Sequence, residues 1–172
     1  MLSIIYPPDP GSNEELQDFL AVVKQYDNRK IPEKLQDICD KGMHIMMCKY
    51  LRSYGIHVNE QEAEDTIIKL RPVITLLKNY FNRQRPDALA RDYDIDWNDD
   101  FLKSAQTLSY PSGHTIQAYF LAGKLSEMFP EHSDDLFIIA EMVSQSRIDR
   151  GVHFPTDVEY GKIIAAELLN YF

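Results

Sequence analysis

Cysteine is scarce in this chain: Cys39 and Cys48 are the only two among 172 residues. The apolar pattern puts both on one helix, nine positions and more than two turns apart, so a disulfide between them is geometrically implausible. Long apolar runs are missing as well. Val73-Ile74 and Leu76-Leu77 around Thr75, and Leu136 to Ala140, fall far short of the roughly 20 residues that cross a bilayer. No transmembrane helix is therefore expected. Positive charge is in the minority, with 18 Lys and Arg against 27 Asp and Glu and a net charge of −9. That balance argues against a nucleic acid or an anionic membrane as partner, since both need a basic surface. Met1 to Pro10 has no basic leader and carries Pro7, Pro8 and Pro10, unlike a secretory signal. The expectation is a soluble, cytoplasmic protein without a membrane partner. There is also no period-two strand, no repeat and no low-complexity tract. A chain of this length reads as one domain over residues 1–172, large enough to bury a core without disulfides or metal.

What is present is helical periodicity. Ser12-Asn13-Glu14-Glu15 has the form of a capping box, and Leu16, Phe19, Leu20 and Val23 follow at helical intervals to about Tyr26. Pro32 opens a second helix whose apolar positions, from Leu35 to Tyr50, carry it to about Ser53 before Gly55 ends it. Asn59 with Glu62 starts a third pattern that runs to Asn82, bent or divided at Pro72. A polar loop crowded with aspartates spans 86–110, with one short helical turn near 100–105. Helices resume over 112–129, 133–148 and 156–171, the last opening on the capping-box pattern Thr156-Asp157-Val158-Glu159. The fold class is all-α, a single-domain helical bundle of about six or seven helices.

Three short strings carry the chemistry. In the first, Lys78 precedes Arg85-Pro86 by two helical turns, so both cations can face one spot, and Pro86 stops the helix beyond them. The second, Pro111-Ser112-Gly113-His114, stands between a loop and a helix. Unpaired N–H groups and the positive end of the helix dipole bind anions there, and Gly113 lets the backbone approach closely. In the third, Ser146-Arg147 is followed by His153 and Asp157. A histidine four residues before an aspartate can hydrogen-bond to it, which fixes its tautomer and makes it a candidate nucleophile. The Arg147 fork suits two oxygens of a phosphate at once. Taken alone, each string has an ordinary reading: a solvated lysine, a serine N-cap before a glycine turn, a structural histidine–aspartate pair. Taken together, they describe a site for a multiply charged oxyanion.

Jointly the strings, Lys-x6-Arg-Pro, Pro-Ser-Gly-His and Ser-Arg-x5-His-x3-Asp over residues 78–157, resemble the three-part signature of the type 2 phosphatidic acid phosphatase and vanadium haloperoxidase superfamily. Tyr6-Pro7-Pro8 to Gly11-Ser12 also looks like the start of mature bacterial class A non-specific acid phosphatases, and Gly151, Pro155 and Val158 fit the family's surroundings of His153. The resemblance implies a metal-independent acid phosphatase acting on a small phosphorylated substrate through a phosphohistidine, with the active site at the ends of central helices. By the same resemblance, Lys78, Arg85 and Arg147 neutralise the phosphoryl oxygens, and Ser112 with the Gly113 N–H donates hydrogen bonds. His153 attacks phosphorus, Asp157 orients it, and His114 protonates the leaving alkoxide and later activates water. No cofactor or metal is implied, although vanadate could bind as a phosphate mimic, and a homo-oligomer is. Two alternatives stand beside this: a vanadate-dependent haloperoxidase, and a catalytically silent phosphate-binding protein.

Other clusters attract plainer readings. Asp92, Asp94, Asp96, Asn98 and Asp100 alternate as in a calcium loop, but Trp97 and Lys103 stand where glycine and glutamate are needed, leaving a solvated acidic loop. That loop could act as a lid, with Trp97 stacking on an aromatic leaving group. His44 and Cys48 share a helix face, two ligands without a partner cluster. His57 and His132 receive no role.

Overall fold

The computed structural model describes residues 4–95, 97 and 106–172. Among these there are nine α-helices and no strand: α1 (Asn13–Asp27), α2 (Glu33–Lys41), α3 (Met43–Ser53), α4 (Glu60–Ile68), α5 (Arg71–Phe81), α6 (Pro86–Asp92), α7 (Gly113–Met128), α8 (Ser133–Asp149) and α9 (Pro155–Leu168), with a 3-10 turn at Pro130–His132. The all-α class holds, and the larger helix count comes from two patterns dividing and one loop folding.

Each division has a local cause. Gly42, at φ −142° and ψ 32°, leaves the helical region and separates α2 from α3, so Cys39 and Cys48 lie on different helices. Both are buried and free. Pro72 does not kink a continuous helix; it occupies the first turn of α5, where its missing N–H costs nothing. At its other end α5 stops at Asn82, whose left-handed φ of 51° closes the helix before Arg85 is reached. Arg85 is instead the N-cap of α6, with Pro86 at the first helical position. Pro86 thus starts a helix where it was expected to end one. The N-cap of α1 is as the sequence suggests: Ser12 Oγ accepts from the Glu15 N–H at 3.1 Å while Glu15 reaches back to the Gly11 N–H at 2.7 Å.

Helices α7, α8 and α9 form the centre. α7 is buried on most of its circumference. Ala118, Leu121, Ala122 and Leu125 pack with α3, α4 and α8 in one cluster, and Ile116 and Phe120 pack with α5 and α9 in a second. Fully burying one such leucine or phenylalanine contributes about 1.5–3 kcal/mol. Gly161 allows α9 to cross the start of α7 closely, since a Cβ there would stand 3.1 Å from the Ser112 carbonyl oxygen and 3.0 Å from Thr115 Cβ. A third cluster, Phe19, Val22, Leu89, Ala90 and Phe154, fastens α1 and α6 to the segment before α9. These contacts bring the N-termini of α7 and α9 and the C-termini of α5 and α8 to one place.

Candidate active site

That place gathers the three strings. Lys78 comes from the last turn of α5, Arg85 from the N-cap of α6, Ser112 to His114 from the start of α7, Arg147 from the last turn of α8, and His153 and Asp157 from the entry to α9. All but Gly113 and His114 are buried, Arg147 and Asp157 completely. A cation at the C-terminus of α8 and an anion-binding N-terminus on α7 are both favoured by the helix dipoles.

His153 is held from two sides. Its Nδ1 lies 2.9 Å from Asp157 Oδ2 and its Nε2 lies 3.4 Å from Arg85 Nη1. Asp157 is the third residue of α9 and also accepts the Phe154 N–H at 3.0 Å, so one carboxylate caps the helix and orients the histidine. The cap of α9 is therefore the Asp157 carboxylate accepting the Phe154 N–H, not a box from Thr156 to Glu159, and Phe154 has no side-chain acceptor to complete a box in return. Ser109 Oγ donates to the same Oδ2, and Arg83 Nη1 donates to Oδ1 at 2.8 Å. Burial, with repulsion from Arg85 and Lys78, holds the His153 imidazole well below its ordinary range and so neutral.

Lys78 and Arg85 are satisfied by neutral oxygens. Lys78 Nζ donates to the Leu108 carbonyl and, at 3.0 Å, to that of Ser109. Arg85 donates to the carbonyls of Thr107 and Val152, each at 2.5 Å. Among the described residues neither forms an ion pair. Burial and then the adjacent Arg85 lower the Lys78 pKa to about 7, while burial and Arg147 lower that of Arg85 to about 10. Asp157 offsets part of this charge from a distance, yet an enclosed pair of cations with no direct ion-pair partner among the described residues is costly, and an arriving anion relieves that cost. Gly113 lies beside the lysine: a Cβ there would stand 3.1 Å from Ile74 Cγ2 and 3.9 Å from Lys78 Cε. Ser112 Oγ accepts from the Thr115 N–H at 3.4 Å and hydroxyl at 3.0 Å, bonds that do not use its own hydroxyl proton.

His114 has a partner that its sequence neighbourhood does not show. Asp40, at the end of α2, places its carbonyl oxygen 3.1 Å and its Oδ1 3.4 Å from His114 Nε2, and the same Oδ1 lies 2.5 Å from Arg147 Nη1. Burial and the Arg147 charge push the His114 pKa down to about 3, opposed by Asp40. Asp40, Arg83, Ser109 and, behind Arg83, Asp18 are the residues that sequence reasoning missed. Arg83 alone left a signal, as a third cation between Lys78 and Arg85. The others reach the site only through tertiary packing.

The described residues of the remaining sequence clusters stay apart from this chemistry. Trp97 stacks on Tyr26, with ring centroids 4.9 Å apart, beside Phe19, and lies so close over Gly151 that a Cβ there would collide with the indole. It packs against α1 instead of standing open over a leaving group, and Gly151, at φ +65°, is required on both counts. Asp96, Asn98, Asp100 and Lys103 of the acidic alternation, and the short turn near 100–105, lie outside the described residues. His44 and Cys48 are both buried on α3, and His132 is buried against Tyr50 and Tyr54.

Comparison with known proteins fits this geometry. The profile of the PAP2 superfamily matches residues 66–171. The chain belongs to the PAP2 superfamily. A non-specific acid phosphatase of Salmonella typhimurium is 28% identical over 172 aligned positions, taking in 93% of this chain and 68% of that protein. A lipid A 1-phosphatase of Rhizobium etli is 33% identical over 98 positions, 56% of this chain and 41% of that protein. Such relatives make the chain a phosphatase, a phosphoric monoester hydrolase. In fold it is similar to a transmembrane PAP2-type phosphatidylglycerolphosphate phosphatase from Bacillus subtilis, with a TM-score of 0.57 and 21% identity, covering 94% of this chain and 85% of that one. That relative crosses a membrane, whereas no described helix here is long and apolar enough to do so.

Proposed function

We propose that the protein hydrolyses small phosphate monoesters without a metal ion, through a phosphohistidine formed on His153. The observation that carries this is the pairing of a neutral, carboxylate-held imidazole with Lys78 and Arg85, buried cations that among the described residues hydrogen-bond to neutral groups alone: backbone carbonyls, the Thr107 hydroxyl and the His153 ring. A phosphoryl group entering there takes its charge neutralisation from Lys78, Arg85 and Arg147, with Ser112 and the Gly113 N–H donating at the start of α7. His153 Nε2 attacks phosphorus as Asp157 accepts the Nδ1–H. The N–P bond forms as the ester P–O bond breaks, and the alkoxide takes a proton from His114. Water, giving its proton back to His114, then cleaves the N–P bond.

The state of His114 bears on the pH of action. In the free protein it is neutral above about pH 3, so it cannot arrive as an acid by itself. A phosphate monoester, whose second ionisation lies near pH 6, brings both the anion that raises the His114 pKa and, as its monoanion, the proton. This supports an acid-type phosphatase.

The test is hydrolysis of p-nitrophenyl phosphate by chelator-treated protein, compared with halide oxidation in vanadate and peroxide. Full phosphatase activity without metal is expected. Halide oxidation without phosphate release would establish the haloperoxidase alternative, and phosphate binding without turnover the silent one. The Rhizobium relative favours a second substrate class, phosphate carried on a lipid, so dispersed lipid phosphates belong in the same assay.

A further inference from the structure

Behind Asp157 lies a second set of ion pairs, built from Arg83, a variable position of the first string, and from Asp18, which belongs to none of the strings. Arg83 Nη1 donates to Asp157 Oδ1 and its Nη2 to Asp18 Oδ2, both at 2.8 Å. The guanidinium lies 3.8 Å over the Phe154 ring and also donates to Thr156 Oγ1 at 2.7 Å. Arg83, Asp18 and Asp157 are exposed by only 4%, 5% and 0% of their side chains, so water screens these contacts little. Asp18 belongs to α1 and is fixed in turn by the Thr156 N–H at 3.3 Å and its hydroxyl at 2.5 Å.

We infer that Arg83 and Asp18 are positioning residues for the His153 nucleophile, acting through Asp157. The inference rests on the phosphohistidine reading above. Burial pushes the Asp157 carboxyl up, and Arg83 is the strongest opposing influence, so it favours the ionised carboxylate with Oδ2 turned to His153 Nδ1 and leaves the Nε2 lone pair facing Arg85 and the phosphate. Asp18 offsets the remaining Arg83 charge, so the support does not add a full cation to a site already holding Lys78, Arg85 and Arg147. The groups bearing on the pair are then Lys78 from α5, Arg83 and Arg85 before α6, His114 from α7, Arg147 from α8 and Asp18 from α1. A purely structural role, clipping α1 to the start of α9, predicts something different: a lower melting temperature with unchanged chemistry per folded molecule.

The two roles separate by sign. In Arg83→Gln, Asp157 loses a cation and binds protons more readily, and His153 beside it does the same. The acidic limb of kcat/KM therefore moves to higher pH, and kcat falls by about 10²-fold as the imidazole loses its alignment, with KM within about 2-fold. Asp18→Asn keeps the shape but removes an opposing anion, so Arg83 holds Asp157 harder and the limb stays or moves to lower pH. Arg83→Lys recovers part of kcat. A limb that moves upward in both variants, or in neither, overturns the proposal. Nitrogen-15 NMR titration of His153 reads the same shift without turnover. Should wild-type protein form no phosphohistidine, the phosphohistidine reading fails while the titration still measures what Arg83 does to the pair.

Discussion

The site contains two histidines, each beside a carboxylate, and the two corners are built differently. At His153 the carboxylate is four residues ahead in the same segment, and that oxygen-rich anchor also caps α9, receives Ser109 and pairs with Arg83. At His114 the carboxylate is Asp40, from a helix 74 residues earlier, and it is shared with Arg147, a residue proposed to hold the phosphate. In the first corner both oxygens of the carboxylate are engaged before substrate arrives. The second is an intramolecular pairing with the cation proposed to hold the phosphate, so on that reading an incoming phosphate has to rearrange it. A nucleophile gains from rigid alignment, whereas an acid that must donate and then accept gains from a partner whose charge is adjustable.

The sharpest way to break the comparison is to remove each imidazole. His153→Ala should abolish the chemistry, with kcat down by roughly 10⁴- to 10⁶-fold and no base-stable phosphoenzyme trapped from labelled substrate. Residual turnover within about 10-fold of wild type would place the nucleophile elsewhere.

His114→Ala should act selectively. Loss of a general acid costs about 10²- to 10⁴-fold on alkyl phosphates. On p-nitrophenyl phosphate, whose leaving group departs unprotonated, formation of the phosphoenzyme should be nearly unimpaired in single-turnover measurements. Equal loss on both substrate types at that step would contradict the proton-carrying role.

The contrast between the corners also marks what could be seen in the chain before folding. His153 and Asp157 are one helical turn apart, so spacing alone makes that pair a candidate, whereas Ser112-Gly113-His114 reads by itself as an ordinary helix start and His114 takes its role only from the three strings together and the family they resemble. Lys78 and Arg85 were readable as a pair, but not the reason they converge. Asn82 ends α5 in a left-handed residue and Arg85 caps a new helix, an interruption that spacing alone reads as two continuous turns. Gly42 was likewise overrun by the strong apolar pattern on both sides of it. Asp40 and Asp18 were invisible for a stronger reason: each lies on an otherwise ordinary polar helix face. They become functional candidates only because the packing of α2 and α1 on α8 and α9 buries those faces against cations.

The smallest expected effect tests the adjustable corner directly. Asp40→Asn keeps the α2 carbonyl near His114 but removes the charge that competes with phosphate for Arg147. Substrate binding should tighten, lowering KM, because the guanidinium no longer has to exchange one anion for another. Over the same change kcat should fall, because His114, already pushed down by burial and Arg147, loses the one neighbouring charge that raises its pKa. The two effects oppose each other in kcat/KM, which should stay within about 10-fold of wild type while its components move apart. A rise in KM together with a fall in kcat would mean that Asp40 holds Arg147 in place for the substrate instead of competing with it, and the two corners would then be equally preformed.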